Sequence, residues 1–442
     1  MTVGLLSPCG WGNLGDAAIQ DSAIHGIRRN IPDARIQAFT LNPDDTEQRH
    51  GIPADTIVGY SIPGTYGVQP RRGLADARGV ASPAPEAPDL KDRLRSHPRL
   101  FAVLKSVRKA LAPLERRFGP LLSESAHLRR SSARIAPFDL LLASGGGQLD
   151  AHWGGAWGHP YALYRWSVLA GLHHVPFGIL STGTGEVQGS LERWFFRGAL
   201  ERARYRSFRD EGSRTLALAF GADPHDPVIP DLAFGVPVRP RAPARAGDRP
   251  VLGVSPIVFE RPGQWPVSDA ARYEDYTGRL AHTVRRLVAE GYAYRWVVSD
   301  LGDRHAVQEV RARLDTETAA HEVQPAASIA GVADLLDALA GIDVLIASRL
   351  HAILLGFVVG TPAVALSYDR KVDTLMSDFA LDDNRLDIRT FTPDDVLGVV
   401  RRLCAGRVAV AAGITRRAAA YRAAVDRQYD DVLGALLLRK AA

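Results

Sequence analysis

The feature that most constrains the fold is an alternation of short β-like runs with helical patterns. In the first half of the 442-residue chain, the β-like runs lie at 3–7, 35–41, 140–143, 176–180 and 204–207. Helical patterns lie between them, and strands that alternate with helices are typical of a parallel sheet covered by helices. The first half is therefore predicted to form an α/β domain.

The alternation restarts after a segment that is rich in Pro and Arg. Residues 239–250, RPRAPARAGDRP, show no periodic apolar pattern, which indicates an interdomain linker. Further β-like runs follow at 251–256, 294–299, 344–347 and 363–367, with helices predicted near 276–290 and 332–340. A chain of this length usually needs more than one core. We predict two Rossmann-like doubly wound domains, residues 1–240 and 251–442, facing a cleft at the carboxyl ends of the strands.

The formal net charge of +5 is concentrated in one segment. Residues 71–134 contain 15 Lys and Arg against 6 Asp and Glu, partly at helical spacing with apolar residues. Such an insertion near 71–135 is either a solvated helix or a surface that contacts anionic lipid or a polyanionic substrate. No recognised nucleic-acid-binding module accompanies it, so no nucleic-acid partner is predicted.

Cysteine and histidine usage gives no sign of a disulfide framework or a metal site. The two cysteines are too few for either, and none of the 13 histidines has a dedicated ligand spacing. Cys9 has no adjacent base in the sequence and is interpreted as a packing residue. The amino terminus lacks a basic flank, so we expect cytoplasmic localisation, with peripheral attachment at the inner face of the membrane as the alternative that the basic segment offers.

The first candidate motif is a glycine loop in CGWGNLGDAAI, residues 9–19. Its G-x-G-x-x-G spacing follows a β-like run and precedes a helix, as in dinucleotide-binding loops. The acid that would hold a ribose is missing at the expected spacing, and Asp44 is the first acid after the second β-like run, which argues against NAD. The loop could instead face a phosphate, a carboxylate or a sugar hydroxyl. Asn13 and Asp16 are either ligand contacts or turn and cap residues.

Two further glycine loops follow predicted strands. LLLASGGGQLDAHWGG places Gly146, Gly147 and Gln148 after a buried run, and LSTGTG places Gly183 after the next one. Glycine allows a backbone to approach a ligand closely, so we predict substrate contacts at these four residues. The alternative is a tight strand-to-helix turn at each position.

Two arginines and a histidine occupy comparable positions. Arg209, in RSFRDEGS, follows a short β-like run, and Asp210 either orients it or caps the next helix. Arg349 and His351, in SRLHAILLGFVVGTPAVALSYDRK, lie at the end of a strand and in the first turn of a helix. A cation at a helix amino terminus is unfavourable unless an anion joins it, so Arg349 implies a concealed carboxylate or a bound anionic ligand. A structural arginine and a core histidine remain the alternative reading.

Together these segments resemble the polysaccharide pyruvyl transferase family. The resemblance rests on the motifs GNLGDAAI, ASGGGQL, STGTG, FRDEGS, PDLAF and ASRLHAILLGFVVGTPAVALSYDRKV. It implies two domains similar to the GT-B glycosyltransferase architecture, with residues 1–240 expected on the sugar-acceptor side and residues 251–442 on the phosphoenolpyruvate side. It also implies transfer of the pyruvyl group of phosphoenolpyruvate to two hydroxyls of a sugar, in a polysaccharide or its lipid-linked precursor. That reaction forms a cyclic ketal and releases phosphate.

The resemblance also suggests roles for individual residues. Arg349 and Arg209 are expected to bind phosphoenolpyruvate from opposite domains, and His351 to act as general acid or as acid and base. Lys371 would neutralise phosphate charge with Asp369 holding it, and Tyr368 of the same motif is expected to contact substrate. Phosphoenolpyruvate is the donor substrate, and neither a cofactor nor a metal is expected.

Two rival functions remain open. One is a GT-B glycosyltransferase that uses a nucleotide sugar, and the other is a non-catalytic glycan-binding relative. Many nucleotide-sugar enzymes place an acidic residue on the donor-side helix, whereas no acid lies between Arg349 and Tyr368, which favours the pyruvyl donor. The joint presence of Arg209, Arg349 and His351 favours an enzyme.

Overall fold

A computed structural model of the chain describes residues 1–10, 12–59, 124–151, 154–238, 249–265, 267–323 and 329–438, with side chains to residue 434. Residues 71–123 of the basic segment and 239–248 of the predicted linker lie outside this part. The predictions made for them, including membrane contact through the basic segment, therefore stay predictions.

The amino-terminal half forms a six-stranded parallel sheet in the order β3-β2-β1-β4-β5-β6. Its strands are β1 (Thr2–Leu6), β2 (Arg35–Thr40), β3 (Ala54–Thr56), β4 (Leu140–Ser144), β5 (Phe177–Thr182) and β6 (Tyr205–Phe208). Its helices are α1 (Leu14–Asn30), α2 (Pro43–His50), α3 (His159–Leu172), α4 (Ser190–Arg202) and α5 (Glu211–Ala217), and residues 124–135 are also helical. The three-residue edge strand β3 was not predicted, because so short a run has no detectable alternation.

The carboxyl-terminal half forms a five-stranded parallel sheet in the order β11-β10-β9-β7-β8. Its strands are β7 (Val251–Ser255), β8 (Ala293–Trp296), β9 (Val344–Ala347), β10 (Ala363–Ser367) and β11 (Arg385–Asp387). Its helices are α6 (Ala270–Ala289), α7 (Arg304–Arg311), α8 (Thr316–Ala319), α9 (Val332–Ala340), α10 (Leu350–Val358), α11 (Arg370–Asp378), α12 (Pro393–Ala405) and α13 (Arg407–Leu438).

Both sheets follow the Rossmann strand order. The first sheet has that order outright, and the second acquires it when the parallel bridge between Tyr294 and Glu322 is counted beside β8. The prediction of two doubly wound α/β halves is therefore confirmed. The limits of the two domains stay a prediction, and α13 contacts both halves: Thr415 lies against Gly360, while Gln428 Nε2 donates a hydrogen bond of 3.0 Å to Ser181 Oγ.

The two halves share an apolar core and a direct backbone contact. Buried side chains of α1, α9, α10 and α13 form one continuous cluster between the sheets. The glycine loop before α1 meets the loop after β8, where Leu14 N donates to Ser299 O at 2.8 Å and Leu301 N donates to Gly12 O at 3.0 Å. These contacts set the carboxyl ends of the two sheets against each other.

The packing of α13 on α1 can be tested at Gly26. A Cβ atom there would lie 2.4 Å from the ring of the buried residue Tyr429, so Gly26→Ala should lower the free energy of unfolding by about 1–3 kcal/mol. Gly278 in α6 is the matched control, because a Cβ there meets no atom within 4 Å. Gly278→Ala should raise stability by roughly 0.5–1 kcal/mol through helix propensity. Urea unfolding of both variants checks this, and an equal gain in both would refute the packing.

Candidate active site

A cavity of about 270 Å³ lies between the two halves at the carboxyl ends of their strands. Ten of the predicted site residues line it: Asn13, Asp16, Gly146, Gly147, Arg209, Arg349, His351, Tyr368, Asp369 and Lys371. They come from loops and helix starts that are far apart in the sequence and belong to both sheets. Doubly wound folds bind ligands at the carboxyl ends of their strands, and these side chains meet at that place.

Arg349 has a concealed anionic partner and also borders the cavity. Its Nε and Nη2 donate to the two carboxylate oxygens of Asp303 at 2.7 and 2.9 Å, and Asp300 Oδ2 lies 3.4 Å from Nη2. Burial disfavours the charged guanidinium, but Asp303 and Asp300 outweigh it and raise the pKa of Arg349 above its ordinary value. The cation at the start of α10 is thus balanced without any ligand. Of the two alternatives that the sequence offered for Arg349, the concealed carboxylate is present.

Arg209 is held in a similar way from the opposite half. Its Nη1 donates to Asp231 Oδ2 at 3.1 Å, and its Nε donates to Asp210 Oδ2 at 3.4 Å. Asp210 also caps α5 by accepting from the backbone N–H of Ser213, so both roles considered for it are present. A guanidinium has five N–H donors, and two are engaged here, as in Arg349. Each arginine therefore keeps N–H groups for a further acceptor.

His351 lies in the first turn of α10 and packs against the start of α1. A Cβ atom on Gly15 would come within 2.2 Å of the imidazole, so glycine is required for this approach. The His351 Nε2 atom is 3.7 Å from Asp231 Oδ2, too far for a hydrogen bond, and it has no hydrogen-bond partner among the described residues. The packing against Gly15 thus fixes the orientation of the imidazole, and its Nε2 is buried.

Asp231 connects the two halves of the site. Its side chain is 3% exposed and lies between Arg209 and His351. Although burial alone would raise it, the His351 imidazole and the Arg209 guanidinium hold the pKa of Asp231 well below its ordinary value. Asp231 therefore stays ionised and orients a cation of one half toward the imidazole of the other.

Asp16 lines the cavity. Unlike Asp231, it accepts no hydrogen bond from a cationic side chain of the described residues. Burial raises the pKa of its carboxyl above the ordinary value, although His351 opposes the shift. Asp16 lies in the first turn of α1 and lines the cavity, and its contact with a ligand stays a prediction.

The glycine loop and the residues that start α11 have capping roles. Asn13 Oδ1 accepts hydrogen bonds from the backbone N–H groups of Gly15 and Asp16. Asn13 therefore caps α1, and it also lines the cavity. Asp369 Oδ1 accepts from the backbone N–H of Lys371 at 2.9 Å. Asp369 is therefore a helix cap, and the expected contact between its carboxylate and the Lys371 ammonium stays a prediction. Tyr368 lines the cavity, and burial raises the pKa of its hydroxyl.

Two of the predicted substrate contacts do not line the cavity. Gln148 is fully buried, its Nε2 donates to Leu6 O at 3.2 Å, and its Oε1 lies 2.9 Å from His159 Nε2. Both polar groups of Gln148 are therefore used to support the loop. Gly183 packs beneath Arg209, because a Cβ there would lie 2.6 Å from Nη2. Gly183 makes room for the arginine, and a substrate contact at this residue stays a prediction.

The sequence analysis missed three carboxylates that shape the site. Asp231 appears in the motif PDLAF but was assigned no role, and Asp300 and Asp303 follow β8 in the stretch SDLGD. The position of two acids after the carboxyl end of a predicted strand was the available signal for the latter pair. Pairing with arginines 22 and 46 positions away could not be seen without the fold.

Neither thiolate nor metal chemistry is indicated at the site by the described residues. Cys9 lines the cavity, and burial raises its pKa to about 12, so its sulfur stays a thiol as the packing interpretation expects. Within the described ranges, no three His, Cys, Asp or Glu side chains are grouped so that they could hold a metal ion. The same part of the chain has no helix that is both long and apolar enough to cross a bilayer. The site can bind a small anion and move protons.

The role of Asp231 predicts a pH dependence of stability. Asp231→Asn should lower the free energy of unfolding by about 3–5 kcal/mol at neutral pH, because it removes the closer of the two carboxylate partners of the buried Arg209 guanidinium. The carboxylate has a lower pKa in the folded than in the unfolded chain. Its contribution is complete above the unfolded pKa of about 3.9 and is lost as the pH falls below that value. Urea unfolding across this range should show the gap to wild type narrowing, while Asp430→Asn at an exposed ion pair shows little change. A gap that is independent of pH would contradict the assignment.

Comparison with known proteins gives both a family and a fold. The family model described as polysaccharide pyruvyl transferase matches residues 13–370. No functionally curated protein matches the chain.

Solved structures resemble the chain over its whole length. The Staphylococcus aureus MnaA structure with UDP has a TM-score of 0.55 at 10% identity, over 98% of this chain and 97% of that one. Anabaena HepE in complex with UDP and glucose has a TM-score of 0.51 at 13% identity, over 98% and 99%. A UDP-glucosyltransferase from Polygonum tinctorium also has a TM-score of 0.51 at 13% identity, over 98% of each chain.

At these identities the structural likeness concerns the fold alone, and it agrees with the GT-B architecture of two facing Rossmann-like halves. The family match is of a different kind, because it covers most of the chain and includes the motifs that carry Arg209, Arg349 and His351. The chain therefore belongs to the polysaccharide pyruvyl transferase family and is a transferase.

Proposed function

We propose that the protein transfers the pyruvyl group of phosphoenolpyruvate to two hydroxyls of a sugar, forming a cyclic ketal and releasing phosphate. The observation that carries the proposal is the convergence of Arg209, Arg349 and His351 on one small cavity from opposite halves of the chain.

The two arginines suit a donor with two anionic groups. Phosphoenolpyruvate carries a carboxylate and a phosphate, and each can accept charge-assisted hydrogen bonds from the guanidinium N–H groups that the aspartates leave available. The aspartates fix both guanidinium groups before a ligand binds, so little orientation entropy remains to be lost. Lys371, which lines the same cavity, supplies a further positive charge for the phosphate.

His351 suits the proton transfer that this reaction needs. Protonation of the methylene carbon of phosphoenolpyruvate makes it a methyl group and leaves C2 electron-deficient. One sugar hydroxyl then adds to C2, the bond between C2 and the phosphate oxygen breaks, and a second hydroxyl completes the ketal. Of the two hydroxyl protons, one replaces the proton given to the methyl group and the other leaves with phosphate. Imidazole can donate and recover a proton near neutral pH. Asp16 lines the same cavity, where its carboxylate can accept a hydroxyl proton.

The acceptor is proposed to be a saccharide of a growing polysaccharide or its lipid-linked precursor. With a lipid-linked acceptor, the basic segment at 71–134 would hold the enzyme at an anionic membrane surface, and this part of the proposal rests on charge alone.

The donor can be identified by thermal shift. Phosphoenolpyruvate should raise the melting temperature of the wild-type protein, whereas a panel of nucleotide sugars should not. A ligand at one hundred times its dissociation constant stabilises by about 2.7 kcal/mol, which is readily measured. Stabilisation by a nucleotide sugar alone would instead support a glycosyltransferase.

The roles of Arg349 and His351 can be separated by two variants. Arg349→Ala should weaken phosphoenolpyruvate binding by roughly tenfold or more, since charge-assisted hydrogen bonds contribute about 1.5–3 kcal/mol. His351→Ala should keep most of the thermal shift but slow phosphate release by about 10²–10⁴-fold, as expected for loss of a general acid. Phosphate release is measured with methyl glycosides as acceptors, and circular dichroism checks that both variants fold. Equal losses of donor binding in both variants would remove this division of roles.

A further inference from the structure

A second, larger cavity adjoins the first on the side of the carboxyl-terminal half. We call it the outer groove; its volume is about 910 Å³, and it is lined by loops that follow β7, β8, β10 and β11. It shares Asn13, Asp16, Arg349 and Tyr368 with the first cavity of about 270 Å³, which we call the central cavity. A ligand in the outer groove can therefore extend into the place where Arg349 and His351 meet. The size suits a ligand larger than phosphoenolpyruvate, because typical ligand pockets measure about 300–1,000 Å³.

One wall of the outer groove is aromatic. Trp265 lies 5.4 Å from Tyr368 and 5.7 Å from Phe259, measured between ring centroids, and Tyr368 lies 5.9 Å from Phe259. Phe259 is buried behind the other two rings, while Trp265 and Tyr368 are partly exposed in the groove. The result is an aromatic platform with an apolar face and polar edges, bordered by Arg349, whose guanidinium carbon lies 5.9 Å from the centroid of the Trp265 ring. A pyranose ring, with apolar C–H groups on its faces and hydroxyls at its edge, matches such a platform.

The charges of the groove favour a neutral ligand with many hydroxyls over a nucleotide diphosphate. Asp16, Glu260 and Asp300 line it as carboxylate acceptors. Of its two guanidinium groups, Arg349 is already engaged by Asp303, and Arg389 lies over the ring of Phe259 at 5.3 Å. Asp300 is paired with Arg349 and Glu260 with Arg272, each at 3.4 Å, so a diphosphate would have to approach carboxylates whose cations are already engaged, whereas sugar hydroxyls can donate hydrogen bonds to the remaining carboxylate lone pairs.

We infer that the outer groove binds the acceptor saccharide, with Trp265 and Tyr368 as the stacking platform and the reacting hydroxyls directed toward Asp16 and His351. The inference rests on the proposed function, because it assigns the central cavity to the donor. It assigns acceptor recognition to Trp265, a residue outside the quoted motifs and in the carboxyl-terminal half, which the sequence-based prediction gave to phosphoenolpyruvate.

The test measures saccharide binding in the absence of a donor. Saturation-transfer difference NMR is recorded with methyl glycosides of glucose, galactose and mannose, and with UDP as the competing ligand class. Wild type should bind at least one glycoside, and Trp265→Ala should weaken that binding by about tenfold or more through lost contact area. Trp265→Phe keeps an aromatic ring and should retain most of the binding. Trp194→Ala is the matched control, because Trp194 is 54% exposed on α4 of the other half and should leave binding unchanged.

Three outcomes would overturn the inference: no glycoside binds to wild type, Trp265→Ala binds as well as wild type, or only UDP binds in a manner that depends on Trp265. A melting curve for each variant confirms folding before the comparison. The donor proposal is tested separately, since glycoside binding without any response to phosphoenolpyruvate would refute the donor and leave the groove assignment standing.

Discussion

The close approach of α1 to α10 is the contact on which the rest of the site depends. Gly15 allows the His351 ring to pack where any larger residue would collide with it, and two backbone hydrogen bonds join the loop before α1 to the loop after β8. This contact brings the carboxyl ends of two separate sheets together. Because Arg209 and Asp231 belong to one half and Arg349 and His351 to the other, neither half contains a complete site.

Buried carboxylates determine how the cations of the site are used. Isolated charges are costly to bury, and Asp303 and Asp231 offset that cost for Arg349 and Arg209. The same carboxylates reduce the positive potential of the cavity, so a bound anion gains less from long-range attraction than from short hydrogen bonds with fixed geometry. Such an arrangement favours selection by shape and by bond direction, as expected where orientation contributes strongly to catalysis.

The fold does not by itself distinguish this chain from enzymes that act on nucleotide sugars. The same two-sheet architecture occurs in structures only 10–13% identical to it, and such folds host many reactions. Here a small cavity with cations from both halves opens into a wider groove with an aromatic wall and carboxylates, which suggests two substrates of different size and charge.

The amino-acid sequence by itself determined the two parallel sheets and most of the residues around the cavity. Buried β-like runs and glycine loops are local patterns, and strand ends converge in any doubly wound fold, so Arg209, Arg349 and His351 could be found by reading along the chain. Only the tertiary structure decided which partners these side chains have. The contacts of Asp231 and Asp303 with the site, and the contact of Gly15 with His351, join residues tens to hundreds of positions apart. The side chain of Gln148 points inward to His159. Such contacts cannot be read from the sequence, because packing between elements leaves no periodic trace in it.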